Sequence, residues 1–136
     1  MTPEPAHIDD HQILIPASRD LVWQALLGRA NTILRRGRPL ALVLGANPPN
    51  GFAVTAEVPH HRLDLSGRHR FATYLLRFEL TTPPDRDGST LLVARSYADF
   101  HGVTGRAYRT ALLASRGHVG AVQLILRSVK ASATTR

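Results

Sequence analysis

The sequence predicts an α+β fold in which one curved antiparallel sheet wraps around a long C-terminal helix, with two short helices after the first strand. Three observations predict it. The apolar period changes from about 3.6 residues to 2 near Leu40 and returns to 3.6 after Gly102. The strands run consecutively and are bounded by helices, which points to an antiparallel sheet rather than alternating βαβ units. The last long segment, Val103 to Ala133, reads as a single amphipathic helix. Tyr108, Ala111, Leu112, Ser115, Val119, Val122, Leu126 and Val129 fall on one face, and Arg109, Arg116, Gln123, Arg127 and Lys130 gather along a flank. Free of proline and roughly 25 to 30 residues long, this helix is expected to lie across the whole sheet as a lid. Gly117 and Gly120 each weaken it by about 1 kcal/mol relative to Ala and mark either a kink or a close approach by another backbone.

The elements before it follow in order. His7 to Ile15 ends in the apolar run Ile13, Leu14, Ile15 and is a strand stopped by Pro16. Ser18 is placed as an N-cap, Asp20 lies in the first turn, and Leu21, Val22, Ala25 and Leu26 recur at helical spacing, so a helix is expected to run to Gly28. Asn31 to Arg36 supplies a second short helix, closed by Gly37 and Pro39. Strands are then expected over Leu40 to Leu44, Phe52 to Val58 and Arg62 to Leu65, separated by proline-containing turns. In Phe71 to Leu80 the even positions Ala72, Tyr74, Leu76, Phe78 and Leu80 form one face, with Arg77 and Glu79 on the other. After a connection containing Pro83, Pro84 and Asp87-Gly88, Thr90 to Phe100 returns antiparallel.

Composition bounds the function. The 136 residues suit one domain with a core that needs no staples, ending in a frayed tail at residues 132–136. The absence of cysteine excludes a disulfide framework, a thiolate nucleophile and a thiolate metal ligand. Met1 to Asp10 carries prolines and acids rather than a basic run before an apolar one, and nowhere do 18 apolar residues run together, so a cytoplasmic protein without membrane insertion is expected. The formal charge is +7, with 16 of the 17 basic residues arginine. That balance attracts nucleic acid, acidic membrane or an acidic partner nonspecifically. The flank of Arg109, Arg116, Arg127 and Lys130 has no interleaved aromatics, so it reads as solvated surface and no specific nucleic-acid site is expected.

The opening stretch His11-Gln-Ile-Leu-Ile-Pro-Ala-Ser-Arg-Asp-Leu-Val-Trp-Gln-Ala-Leu26 resembles the start of proteins in the START, birch-pollen-allergen and polyketide-cyclase superfamily (SRPBCC), where a strand ending in a Pro-Ala turn leads into a helix with a Val-Trp pair. Gly67-Arg-His-Arg-Phe-Ala-Thr-Tyr74 and Phe100-His-Gly-Val-Thr-Gly-Arg-Ala-Tyr-Arg109 are similar to a small bacterial branch of it, and the element order matches over nearly the whole chain. The resemblance implies a helix-grip fold with a cavity for an apolar or aromatic small molecule. It implies no particular reaction, because that fold hosts carriers, receptors, cyclases and hydratases alike.

If the last two strands pair with Phe78 opposite Leu92, Tyr74 faces Ser96, Ala72 faces Ala98 and Arg70 faces Phe100. Ala94, Ser96 and Ala98 then leave room beside Tyr74, and Arg70, Tyr74, Ser96, Tyr108 and His118 are the candidate ligand-binding residues, a few polar groups in an apolar wall. The alternatives are that the tyrosines and His118 are core residues satisfied by backbone or water, and that Arg70 pairs with Asp99 or Asp64 rather than clamping a ligand carboxylate. Neither His60-His61 nor His7 and His11 with Asp9 and Asp10 has a known metal-ligand spacing, so no metal is expected, and no cofactor. The chain contains no phosphate-cradling glycine loop and no nucleophile elbow. The leading reading is a binder of an apolar or aromatic small molecule. The alternative is a cyclase or dehydratase on the same fold, in which Arg70 polarises a carbonyl and Tyr74 or His118 moves a proton.

Overall fold

The structure, a computed structural model, describes residues 5–36, 53–68, 72–100, 106–107 and 117–134. In chain order these form β1 (His7–Ile15), α1 (Arg19–Arg36), β2 (Ala53–Val58), β3 (Arg62–Arg68), β4 (Ala72–Thr81), β5 (Thr90–Phe100) and α2 (Gly117–Thr134). The strands make one five-stranded sheet in the order β1-β5-β4-β3-β2, with every neighbouring pair antiparallel. The α+β class is therefore as expected. Residues 40–44, for which a strand is expected, lie outside the described residues. Among the described residues no helix is long and apolar enough to cross a membrane.

Alternation decides which side of the sheet meets the helices. Leu63 and Leu65 of β3, Phe78 and Leu80 of β4, Leu92 and Ala94 of β5 and Ile15 of β1 are all 2% exposed or less, and they form one core with Val22, Trp23, Leu26 and Ala30 of α1 and Val122, Leu126, Val129 and Ala133 of α2. The even positions Leu76, Phe78 and Leu80 of β4 face this core, as the alternation predicts. Arg77 and Glu79 lie opposite.

The β4–β5 register differs from the expected one by two residues. Phe78 faces Ala94, Leu76 faces Ser96, Tyr74 faces Ala98 and Ala72 faces Phe100. A slip of two preserves every residue's face, so hydrophobic pattern alone does not choose between the registers. Thr90 is fully buried opposite Ile15, and its hydroxyl donates to the Ala17 carbonyl at 2.8 Å, anchoring the start of β5 to the turn between β1 and α1.

Two short helices are expected after β1, but α1 is one continuous helix. Ser18 begins it, accepting from the Leu21 N–H at 3.4 Å through Oγ. Its buried face continues from Leu26 to Ala30 across the exposed Gly28, and burial outweighs the local cost of a helical glycine. Nothing lies within 4 Å of a Cβ built at Gly28. Gly28→Ala is accordingly expected to stabilise the protein by about 0.5 to 1 kcal/mol, read as a higher urea midpoint with an unchanged m-value.

The helix expected over Val103 to Ala133 is described from Gly117 onward, together with a helical pair at residues 106–107; residues 103–105 and 108–116 lie outside the described residues. No backbone crowds Gly120, where a Cβ would meet nothing within 4 Å. The C-terminal end is not frayed as far as Thr134: Ala133 is buried in the core, and the Thr134 hydroxyl donates to the Lys130 carbonyl at 2.7 Å. Arg127 is exposed and Lys130 half-buried. β3, expected to end at Leu65, runs on through Gly67 and Arg68, which pair with Tyr74 and Thr73 of β4.

Candidate functional site

The helix-facing side of the sheet changes character along its length. At the end where β1 finishes and β5 begins, Ile15, Thr90, Leu92, Leu63 and Leu80 are almost fully sealed. Toward the opposite end, inward positions Leu76 and Tyr74 of β4, Ala98 of β5 and Gly67 of β3 are only half-buried. Large aliphatic side chains give way there to small or polar ones. Ala94 belongs to the sealed part, fully buried between Phe78 and His11, so it does not line a hollow as expected; Ala98 lies in the open part.

A polar group lies at this boundary. Asp9 and His11 are two apart on β1, so their side chains share a face, and it is the face that meets α2. One His11 ring nitrogen, Nδ1, lies 3.0 Å from the side-chain nitrogen of Gln123 on α2; the other, Nε2, lies 3.2 Å from Asp9 Oδ2. With the Gln123 amide donating to Nδ1, the Nε2–H donates to Asp9, and the three residues form a continuous bridge from helix to sheet. Directly across the ladder from Asp9 stands Ser96, 5% exposed, whose Oγ has no hydrogen-bond partner among the described residues. A buried hydroxyl left without a partner costs about 1 to 3 kcal/mol, which makes it the anomaly of the site.

Of the five residues the sequence nominates, the structure puts Tyr74 and Ser96 on the helix-facing side as diagonal neighbours. Arg70 and Tyr108 lie outside the described residues, as does the side chain of His118, whose backbone belongs to the first turn of α2. Sequence reasoning missed Asp9, His11 and Gln123 as site residues. Alternation with Ile13 and Ile15 was a usable signal for the first two; Gln123 was read as part of the outer flank of the helix.

A register shift between His7 and Asp9 separates the N-terminal acids and histidines onto two faces. Asp9 pairs with His11 on the inner face, whereas His7 pairs with Asp10 at 2.8 Å and sets its ring edge-on to Tyr97 at 5.3 Å on the outer one. The four do not converge. His60, in the left-handed region at φ 68°, approaches Asp20 at 3.2 Å and the Trp23 ring edge-on at 6.2 Å, and Nδ1 of His61 lies 3.2 Å from Arg19, so this turn latches onto the start of α1. Among the described residues no three metal-ligating side chains gather.

The outer face carries its own charge network. Asp64 is 3% exposed and accepts two hydrogen bonds from Arg62 (3.2 and 2.9 Å) and two from Arg77 (3.0 Å each). Burial alone would push its carboxyl up, but the hydrogen bonds and charges of Arg77 and Arg62 outweigh it and hold the group below the ordinary aspartate value. Arg77 also lies over the Tyr97 ring, 5.5 Å from its centre. Asp99 Oδ1 accepts from the Ala6 N–H at 3.0 Å; Arg70, for which Asp64 and Asp99 are the alternative partners, lies outside the described residues.

No protein family profile matches this chain, and no curated protein sequence matches it. Among solved structures it is similar to a conserved protein from Geobacillus kaustophilus (16% identity, 91% of this chain and 90% of that one, TM-score 0.48). It is also similar to an uncharacterized protein from Rhizobium leguminosarum (10% identity, 92% and 95%, TM-score 0.46) and to a protein from Deinococcus radiodurans (14% identity, 82% and 97%, TM-score 0.37).

Proposed function

We propose that this protein binds an apolar or aromatic small molecule between the sheet and α2, in a helix-grip arrangement, at the half-open end marked by Tyr74, Leu76, Ser96 and Ala98. The observation that carries the reading is the buried Ser96 hydroxyl with no partner among the described residues, beside inward-facing positions that are only half-buried. Few polar groups in an apolar wall is the usual composition of such a site. Apolar burial supplies most of the affinity, about 25 cal/mol per Å² before ordering costs, and the polar groups orient the ligand.

The test compares two alanines on one strand. Ala98→Phe is expected to abolish ligand-induced thermal stabilisation while leaving the free protein within about 1 kcal/mol of wild type, because it fills open space; Ala94→Phe, in the sealed core, is expected to cost about 1 to 3 kcal/mol or more. A thermal-shift screen of aromatic and polyketide-like compounds reads both. If no compound stabilises the wild type and Ala98→Phe is as damaging as Ala94→Phe, that end of the sheet is packed and the proposal falls.

A further inference from the structure

Val122, Leu126, Val129 and Ala133 turn one side of α2 into the core, and Leu124 stands on the opposite side. At 60% exposure it is the most exposed large apolar side chain among the described residues. Ala121, Gly120 and Ala131, three, four and seven residues from it on the same side of the helix, are exposed as well. The hydroxyl beside them is turned back to the helix, Ser128 Oγ donating to the Ile125 carbonyl at 2.8 Å. A projecting leucine among small residues is a shape that the ridge of a second helix fills.

Charge decides what kind of helix that is. The first 99 residues hold 11 basic and all 10 acidic residues, a net charge of +1, whereas residues 100–136 hold the other six basic residues and no acidic one. Arg127 and Lys130 belong to the second group, and none of the 18 residues of α2 is a carboxylate. Arg127 is exposed beside Leu124, and Lys130 lies further round the helix, half-buried. Neither makes an ion pair among the described residues, whereas Arg62, Arg77 and Arg95 on the sheet each have a carboxylate partner. A second copy of this chain would bring the same two cations against themselves with no acid between them, which disfavours self-association through this face. An anionic bilayer would receive one leucine and two cations, without the tryptophan or phenylalanine that helps to seat an interfacial helix.

We infer that the outward face of α2 is a docking surface for an acidic amphipathic helix of another protein, whose aliphatic ridge seats around Leu124 and whose carboxylates reach Arg127 and Lys130. With one large apolar side chain at its centre, the contact belongs to the small, transient class, burying less than about 1,200 Å² in total. It lies on the side of α2 away from the sheet and is independent of the small-molecule site.

The probe is a fluorescently labelled synthetic peptide of about 20 residues, with leucine at helical spacing on one face and glutamate on the other; a version with lysine in place of glutamate is its counterpart. Anisotropy is followed as the full chain is titrated in, at about 50 mM salt, where surface charges are only partly screened. The glutamate peptide is expected to bind and the lysine peptide not to. Leu124→Ala and Arg127→Glu are each expected to weaken binding about tenfold. Arg86→Glu changes the net charge as much as Arg127→Glu does, at an exposed position in the β4–β5 connection, and is expected to weaken binding less than about twofold. All three positions are exposed, so melting temperatures close to that of the wild type are expected. Failure of the glutamate peptide to bind overturns the proposal, as does a loss at Arg86→Glu equal to that at Arg127→Glu, which would mean attraction by net charge alone. Binding to phosphatidylserine vesicles or to duplex DNA that depends on Leu124, where binding to the peptide does not, would assign the face to another class of partner and equally overturn it.

Discussion

Phe78→Ala is expected to lower the free energy of unfolding by about 3 to 5 kcal/mol, enough to unfold a marginal domain near physiological temperature. Phe78 is 1% exposed and stands at the centre of β4, with Leu63 across one ladder and Ala94 across the other. Neighbours of that kind collapse poorly into a vacated ring volume: Ala94 has no side chain to spare, and Leu63 is held by its own burial. Leu124→Ala on α2 is the control, because that leucine is 60% exposed and its truncation is expected to stay within about 0.5 kcal/mol. Urea titrations of the two variants check the pair. Equal losses would mean that α2 is rotated from the orientation described here.

The second large effect is expected at Asp64. Asp64→Asn removes the charge that Arg62 and Arg77 share and leaves Arg77, only 13% exposed, without its carboxylate. Breaking a buried pair from one side costs roughly 3 kcal/mol, because the remaining charge stays desolvated. The pH dependence has a definite sign. The folded-state pKa of Asp64 is depressed, so its contribution is fully present above the ordinary value of 3.8 and is lost as pH falls through the lower, folded-state value. The stability difference between wild type and Asp64→Asn is therefore expected to be constant from pH 7 to about pH 5 and to shrink below pH 4. Denaturation midpoints at pH 7, 5, 4 and 3 check this, and a gap that widens in acid would contradict the ion-pair geometry.

What the sequence determined by itself is whatever depends on neighbours a few residues apart. The bounds of β1 and β5, the inward face of β4, the Ser18 start of α1 and the buried Val122, Leu126 and Val129 stripe of α2 were all legible, because a period of 2 or 3.6 writes the buried face directly into the order of residues. The inward placement of Tyr74 and Ser96 was legible on the same grounds. What the tertiary structure alone decided is whatever local pattern leaves degenerate or sets at a small cost. Two registers of the β4–β5 hairpin bury the same faces, and only the folded structure shows that Phe78 is set against Ala94. Gly28 argues for a helix end by propensity, and the core packing of Leu26 and Ala30 carries α1 through it. Asp64 alternates to the outer side of β3, which predicts exposure, yet two arginines close over it. The His11 site is the clearest case: its partner Gln123 lies 112 residues away on a helix whose rotation is set by Val122 and Leu126, so only the packed structure brings the amide to the imidazole.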